Sequence, residues 1–306
     1  MIKLLHIADV HIGMENYGRI NPETGLNTRL HDFLDTLDEA VDRAITEQVD
    51  AVVVAGDVYK SRDPSPTHQR EFARRILKLL EREQVPATFF TTGHTAETYP
   101  DIVREIVAAG HEVGHHGYLH ENPLSLETRE RERAVLERGL KALDKVAGVR
   151  PAGYRSPAWD NSPYTTDLLL EAGFRYESSL MGNDFRPYWC RSGDVIQDDG
   201  PYLFGDPVDL VEMPVSWILD DWPHFEYLSI RSAGINATGH SAPSKVEEVW
   251  QGEFTFMYRD IPDGVFTLTM HPQVIGRGHR FLMLERLISW MKSHEGVQFT
   301  TLGAAA

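Results

Sequence analysis

Residues 111–120 read HEVGHHGYLH: a short run, His111 to His115, passes directly into a loop where His115, His116 and His120 crowd around Gly114 and Gly117. A strand that empties into a cluster of ligand-type residues is the arrangement of a parallel α/β fold, which gathers its chemistry at the C-terminal ends of its strands. Outward from this stretch, apolar runs and amphipathic runs keep alternating, as strands each followed by a covering helix would. Upstream, residues 67–84 repeat a helical pattern through Phe72, Ile76, Leu79 and Leu80, Pro86 closes it, residues 87–91 predict a strand, and residues 100–109 predict a helix. Downstream, residues 127–146 form a charged helix ended by Gly148, and residues 165–172 another ended by Gly173. Earlier still, residues 3–8 and the β-branched residues 51–55 predict strands. Between them Leu30, Phe33, Leu34, Leu37, Val41, Ala44 and Ile45 recur with the period of a helix. Residues 208–215 and 265–270 predict the later strands, and a last helix over residues 279–293 leads into residues 297–301. Residues 181–207 lose the periodicity and read as a long functional loop or cap.

The composition is that of a globular protein: 306 residues, of which 42% are hydrophobic and 25% charged. That length lies between one large domain and two ordinary ones. The net charge of -16 opposes long-range attraction to phosphate backbones and anionic membranes, so nucleic acid is not an expected partner. No run approaches about 18 consecutive apolar residues, and the N-terminus MIKLLHIADVH lacks an apolar leader, so a cytoplasmic protein without a membrane partner is expected. Cys190 is the single cysteine and reads as a packed residue; one thiol excludes an internal disulfide and a thiolate-rich zinc site.

The imidazoles of His116 and His120 can converge on one zinc, with a carboxylate as third ligand and a fourth position open for water. Such a water has its pKa lowered to about 7, and the ion polarises the carbonyl under attack. On spacing alone, polar loop histidines are an equally good reading. In Tyr154-Arg155-Ser156-Pro157-Ala158-Trp159, Arg155 stands at a strand end beside a Ser-Pro turn, where it can hold a catalytic carboxylate or form a surface ion pair. Thr267-Leu268-Thr269-Met270-His271-Pro272 delivers His271 to a strand edge, positioned to protonate a leaving amine. Asp9, His11 and Asp57 stand at two successive strand ends, with loop capping as the plain alternative. Trp189, Trp217 and Trp222 fall in or beside the aperiodic and acidic stretches, where an indole stacks on a sugar as readily as it packs.

Taken in order, His116 with His120, Arg155 to Trp159, Trp217 with Asp220 and Asp221, and His271 with Pro272 resemble the NodB-homology polysaccharide deacetylases. The phrases HHGYLHENP, RSPAW, VEMPVSWILDD and MHPQVIGRGH are most similar to the peptidoglycan deacetylase and allantoinase- or cyclic-imide-hydrolase-like branch. The resemblance covers residues 79–306, roughly three-quarters of the chain. It implies an α/β fold of distorted (β/α) barrel type and hydrolysis of a non-peptide carbon-nitrogen amide bond in a small molecule or glycan. It also implies zinc (Zn2+), or Co2+, Ni2+ or Mn2+, on His116 and His120, with His271 as general acid and Arg155 orienting the base. Tyr118, Trp159, Trp217, Asp220 and Asp221 would line the pocket. A homo-oligomer is compatible with all of this.

The family's first motif, a strand ending in paired aspartates that supply one ligand and the general base, is missing. Residues 1–78 instead resemble the opening of calcineurin-like metallophosphoesterases of the DNA-repair exonuclease kind, through Ala8-Asp9-Val10-His11-Ile12-Gly13 and Ala55-Gly56-Asp57-Val58-Tyr59. In that family both segments ligate a two-metal site. Its later motifs leave only Gly93-His94-Thr95 and a poor match at Gly239-His240-Ser241-Ala242. The chain therefore reads as a chimera joined within residues 72–80, with βαβα units replacing or preceding the first barrel strand. Strand 51–55 then takes that strand's place, which makes Asp57 the stand-in ligand and catalytic carboxylate. Asp57 has no acidic neighbour, so a separate base must come from elsewhere, with Asp9 the candidate, and impaired catalysis is expected. Two alternatives stand beside this: a metallophosphoesterase cleaving phosphodiesters, and a catalytically inactive α/β domain used for binding or oligomer formation.

Overall fold

The computed structural model describes residues 4–8, 18–22, 27–32, 34–35, 51–55, 66–195, 197–230, 235–238 and 241–306. Asp9, His11 and Asp57 lie outside the described residues. The apolar runs become strands: β1 (Leu4–Ala8) and β2 (Ala51–Ala55) pair in parallel, with Ala8 opposite Ala55. Helix α1 (Pro66–Glu83) buries Ile76, Leu79 and Leu80, one stripe at helical spacing, and leads into β3 (Thr88–Thr91). Thr92 caps α2 (Gly93–Thr98), and α3 (Pro100–Ala108) begins on the proline. After β4 (Glu112–His115), Thr128 caps α4 (Arg129–Ala147), which stops where Gly148 turns left-handed. The pattern repeats through β5 (Gly153–Tyr154), α5 (Thr165–Ala172) with its left-handed Gly173, and β6 (Tyr176–Glu177).

The main sheet has six strands in the order β3-β4-β5-β6-β8-β7, all parallel except the last pair. Two expectations need correction here. Residues 181–207 are not wholly a loop: β7 (Tyr188–Ser192) folds antiparallel onto β8 (Asp206–Glu212), with an irregularity between Trp189 and Arg191. The absence of period-2 alternation in an edge strand with one exposed face hid it. Residues 265–270 do not form a regular strand; their ladder is one parallel bridge from Asp220 to Thr269. Helix α7 (Pro243–Asp260), absent from the reading above, buries Val246, Trp250, Phe254 and Met257. With α9 (Gly278–Lys292) and α1 it encloses the largest core cluster. No helix among the described residues is long and apolar enough to cross a membrane.

Two short helices, α6 (Asp221–Phe225) and α8 (Pro272–Ile275), follow directly on Asp220 and His271. Buried Arg280 of α9 ties them together, donating to the carbonyls of Phe225 at 3.0 Å and Val274 at 3.1 Å and to the Glu226 carboxylate at 3.0 Å. A cation is well placed there, because the carbonyls ending a helix lack intrahelical partners.

On the opposite side, α4 approaches the histidine loop so closely that only glycine fits at position 139. A Cβ there would stand 2.2 Å from His115 Nε2 and 2.9 Å from the Gly117 carbonyl oxygen. Gly139→Ala gains roughly 1 kcal/mol of helix propensity but forces a shift that costs about 1–3 kcal/mol. We expect a net loss of stability, read as a lower urea midpoint at unchanged slope; a midpoint equal to or above that of the parent would show that helix and loop are not in this tight contact.

Candidate functional site

The histidine loop is held by its own backbone. His115 is fully buried and both ring nitrogens are engaged: Nδ1 accepts the Gly117 N–H at 3.2 Å, and Nε2 lies 3.1 Å from the Leu136 carbonyl, so Nε2 carries the proton. Burial pushes its pKa down to about 4, which keeps the ring neutral. His115 is thus a structural residue stacked on Tyr154. Gly117 at φ +73° and His120 at φ +65° reverse the chain, and the Glu121 carboxylate accepts the N–H groups of Tyr118 at 3.0 Å and Leu119 at 2.7 Å. The result places His116 beside His120, ring centroids 4.8 Å apart and nearly perpendicular at 78°.

His116 Nδ1 lies 2.7 Å from the Arg155 carbonyl oxygen. A carbonyl only accepts, so Nδ1 bears the proton and Nε2 is left with a free lone pair. Burial drives the His116 pKa down to about 3, and desolvation with the nearby positive charge of His271 lowers that of His120. Both rings are therefore neutral, as metal ligands must be. An imidazole bonded at about 2.1 Å has its centroid about 3.2 Å from the ion, so two rings on one ion stand roughly 4.5–5.2 Å apart. The observed spacing falls in that interval, and the donor set fits a divalent ion.

Near this pair, where the His271 charge acts on His120, fully buried Asp221 accepts hydrogen bonds from His271 Nδ1 at 2.7 Å and from the His271 backbone N–H at 3.0 Å. Burial works to lower the His271 pKa, yet the hydrogen bond and charge of Asp221, with Asp220, outweigh it and raise the value. Asp220 caps α6 by accepting the Trp222 N–H at 2.7 Å, and burial pushes its carboxyl up to about 6. Asp220, Asp221 and His271 offer oxygen and nitrogen atoms within 4.8 Å of one another, the only such group of three among the described residues. Their atoms are already committed to each other and to backbone, which suits a proton relay better than a metal.

Arg155 is buried at the end of β5. Its guanidinium donates to the Ser178 carbonyl at 2.8 Å, the Ser178 hydroxyl at 2.7 Å and the Thr269 hydroxyl at 3.1 Å, and lies 4.4 Å over the Phe90 ring. Among the described residues no carboxylate is bonded to it; it ties strand ends together, and the carboxylates it was expected to orient, Asp9 and Asp57, lie outside the described residues. Tyr118 is also displaced from the pocket: its hydroxyl donates to Glu97 at 2.8 Å and Arg138 covers its ring. Asp220 and Asp221 back His271 and line no open surface. The tryptophans form an aromatic wall, with buried Trp159 stacked at 4.1 Å under Trp217, which is 43% exposed, and Trp222 edge-on to His271 at 5.1 Å. Trp189 is exposed on β7. Sequence reasoning missed Glu177 and Glu212, paired in register and almost fully buried. The available signal was an acidic residue directly after an apolar or aromatic one at the end of each strand, Tyr176-Glu177 and Leu210-Val211-Glu212.

A sequence profile for polysaccharide deacetylase matches residues 56–177, and one for calcineurin-like phosphoesterase matches residues 2–95. The deacetylase match thus begins at Gly56-Asp57, upstream of the expected junction. A peptidoglycan deacetylase from Helicobacter pylori is 38% identical over 242 residues, spanning 76% of this chain and 81% of that protein. The crystal structure of a Mycobacterium smegmatis protein assigned to the polysaccharide deacetylases is 38% identical, with a TM-score of 0.64 over 78% of this chain and 77% of its own. An allantoinase structure at 21% identity shares the fold, with a TM-score of 0.63 over 99% of this chain and 88% of its own. The α/β fold, the ordered His116-His120, Arg155-to-Trp159, Asp221 and His271 segments, and these relatives agree: the chain belongs to the polysaccharide deacetylase family.

Proposed function

We propose that the protein hydrolyses the N-acyl amide of a glycan of the peptidoglycan type, using a divalent ion, zinc first among the choices, held by His116, His120 and Asp57. The observation that carries this reading is the pair of adjacent imidazoles, His116 with Nε2 left free, close enough to the hydrogen-bonded Asp221–His271 pair for the His271 charge to act on His120. The third ligand is supported by the deacetylase match, which starts at Gly56-Asp57. Asp9 follows Ala8 and Asp57 comes two residues after Ala55, and those alanines are partners in register, so Asp9 is the carboxylate we assign to receive the proton of the attacking water. Without a second aspartate beside Asp57, turnover below that of the family is the expectation.

Bound there, the ion supplies a water of pKa about 7 and polarises the acyl carbonyl. The remaining work falls to the chain. The Arg155 carbonyl fixes the His116 tautomer, and Asp221 fixes that of His271, so that His271 Nε2 is the proton donor when the carbon-nitrogen bond breaks and the amine leaves. The edge-on Trp222 shields His271 from water, and the exposed indole face of Trp217 offers a platform for a sugar ring.

The purified chain is expected to hold one zinc per molecule by elemental analysis and to release acetate from an N-acetylated glycan. His116→Ala and His120→Ala should each lower metal occupancy by at least tenfold, since one of only three protein ligands is lost. A parent chain that keeps no metal after reconstitution sinks the assignment. The pH profile gives a separate check. His271 must be protonated to act as acid, and Asp221 raises its pKa, so activity persists below that raised value and falls as pH climbs through it. In Asp221→Asn the burial that opposes protonation is no longer outweighed, and the basic limb should move to lower pH with a kcat about 10²–10⁴-fold lower; a limb that stays in place removes His271 from the role.

The calcineurin-like match over residues 2–95 favours a second reading, phosphodiester hydrolysis with Asp9, His11 and Asp57. Manganese-dependent cleavage of bis-p-nitrophenyl phosphate, abolished by Asp57→Ala in a chain inert toward N-acetylated glycans, would replace the first reading with that one.

A further inference from the structure

Beneath the aromatic wall, Glu177 and Glu212 face each other in register on the adjoining parallel strands β6 and β8, one 1% exposed and the other fully buried. They share a donor: the Ser179 N–H points to Glu177 Oε2 at 3.1 Å and to Glu212 Oε1 at 3.0 Å. Glu212 also accepts the Leu180 N–H at 2.9 Å, and the Cys190 thiol lies 3.8 Å from its other oxygen. No ion pair among the described residues involves either carboxyl. Side by side in a dry interior the two carboxyls oppose each other's ionisation, and the buried Arg155 guanidinium bonds neither and acts on them only through space, so the pair retains one proton between them. The upward shift of Glu212, caused by burial and by the adjacent Glu177, agrees.

What this pair holds can be followed outward, contact by contact. The Ser179 hydroxyl donates to Glu177 and at the same time accepts the Ser156 N–H at 2.7 Å. The Ser156 carbonyl accepts the Trp159 N–H at 3.0 Å, and the Ser156 hydroxyl donates to the Asp160 carbonyl. This closes a turn in which Ala158 and Trp159 both carry positive φ, 57° and 59°. Non-glycine residues hold that conformation in succession only when their surroundings over-determine it. The turn delivers the Trp159 indole under Trp217.

We propose that Glu177 and Glu212 form a proton-sharing carboxyl pair that acts, through Ser179 and Ser156, as the positioning element for the Trp159–Trp217 platform. The pair touches no substrate. Its effect on glycan binding rests on the function proposed above, whereas its effect on the two indoles does not.

Stacked indoles couple optically, so the platform has its own signature, a far-ultraviolet circular-dichroism couplet that Trp217→Phe should abolish and thereby identify. In Glu212→Gln the amide replaces the protonated partner and donates to Glu177, so the couplet should survive. In Glu212→Ala and in Ser179→Ala it should fall by half or more. On an N-acetylated glycan these two variants should raise KM about tenfold while kcat stays within about twofold. Ser179→Ala removes only the hydroxyl that accepts the Ser156 N–H, so it decides the matter if Glu212→Ala does not fold. A Ser179→Ala chain with the parental couplet overturns the proposal, and so does loss of the couplet in folded Glu212→Gln. Because the couplet is read without substrate, its loss in a chain inert toward glycans would retain the positioning role and reject only the functional reading.

Discussion

A guanidinium placed where water cannot reach it must find acceptors, and at Arg155 that demand knits the molecule together. Its donors reach Ser178 beyond β6 and Thr269 before His271, while its cationic face rests on Phe90 of β3. Its backbone does the rest: the N–H donates to the His115 carbonyl and the carbonyl receives the proton of His116. One residue at the end of a two-residue strand thereby fixes the tautomer on one side of the site and the chain that carries His271 on the other. Burial lowers the Arg155 pKa to about 10, far above neutrality, so the cation persists although no carboxylate among the described residues is bonded to it.

Much of this architecture is legible in the chain because punctuation and periodicity agree. Gly148 and Gly173 end their helices in the left-handed conformation that glycine permits, and the runs at 51–55, 87–91 and 111–115 become strands. The order of His116, His120, Arg155, Trp217 and His271 also carries the family likeness that the relatives bear out. Other features are invisible at that level because they depend on what lies opposite. Whether His115 or His116 offers a free nitrogen is decided by the Leu136 carbonyl and the Gly117 amide, which no local pattern reveals. Glu177 and Glu212 are separated by 35 positions, and only the parallel register brings them face to face. The acceptors that Arg155 reaches among the described residues, two hydroxyls and a carbonyl on distant segments, are equally invisible to a local pattern.

The two halves of the site differ in how they are secured. The imidazole pair sits on a loop whose geometry comes from local backbone contacts: Glu121 gathers two successive N–H groups, and left-handed residues reverse the chain. The Asp221–His271 pair depends on long-range packing, since the two residues begin helices that Arg280 staples from a third. Removing a loop contact therefore disturbs the imidazole pair near it, while loosening the helical staple alters the separation of His271 and Asp221 at a distance.

The outermost strand has a further consequence. Among the described residues β7 is the last strand on one side of the main sheet, and it bears an exposed Trp189, the features that invite another chain to add itself there. The irregular register between Trp189 and Arg191, followed by the Arg191–Asp194 ion pair, breaks the even spacing of free amides that an incoming strand would require. A two-residue shift of register at this margin thus works against the regular pairing that an added strand would need.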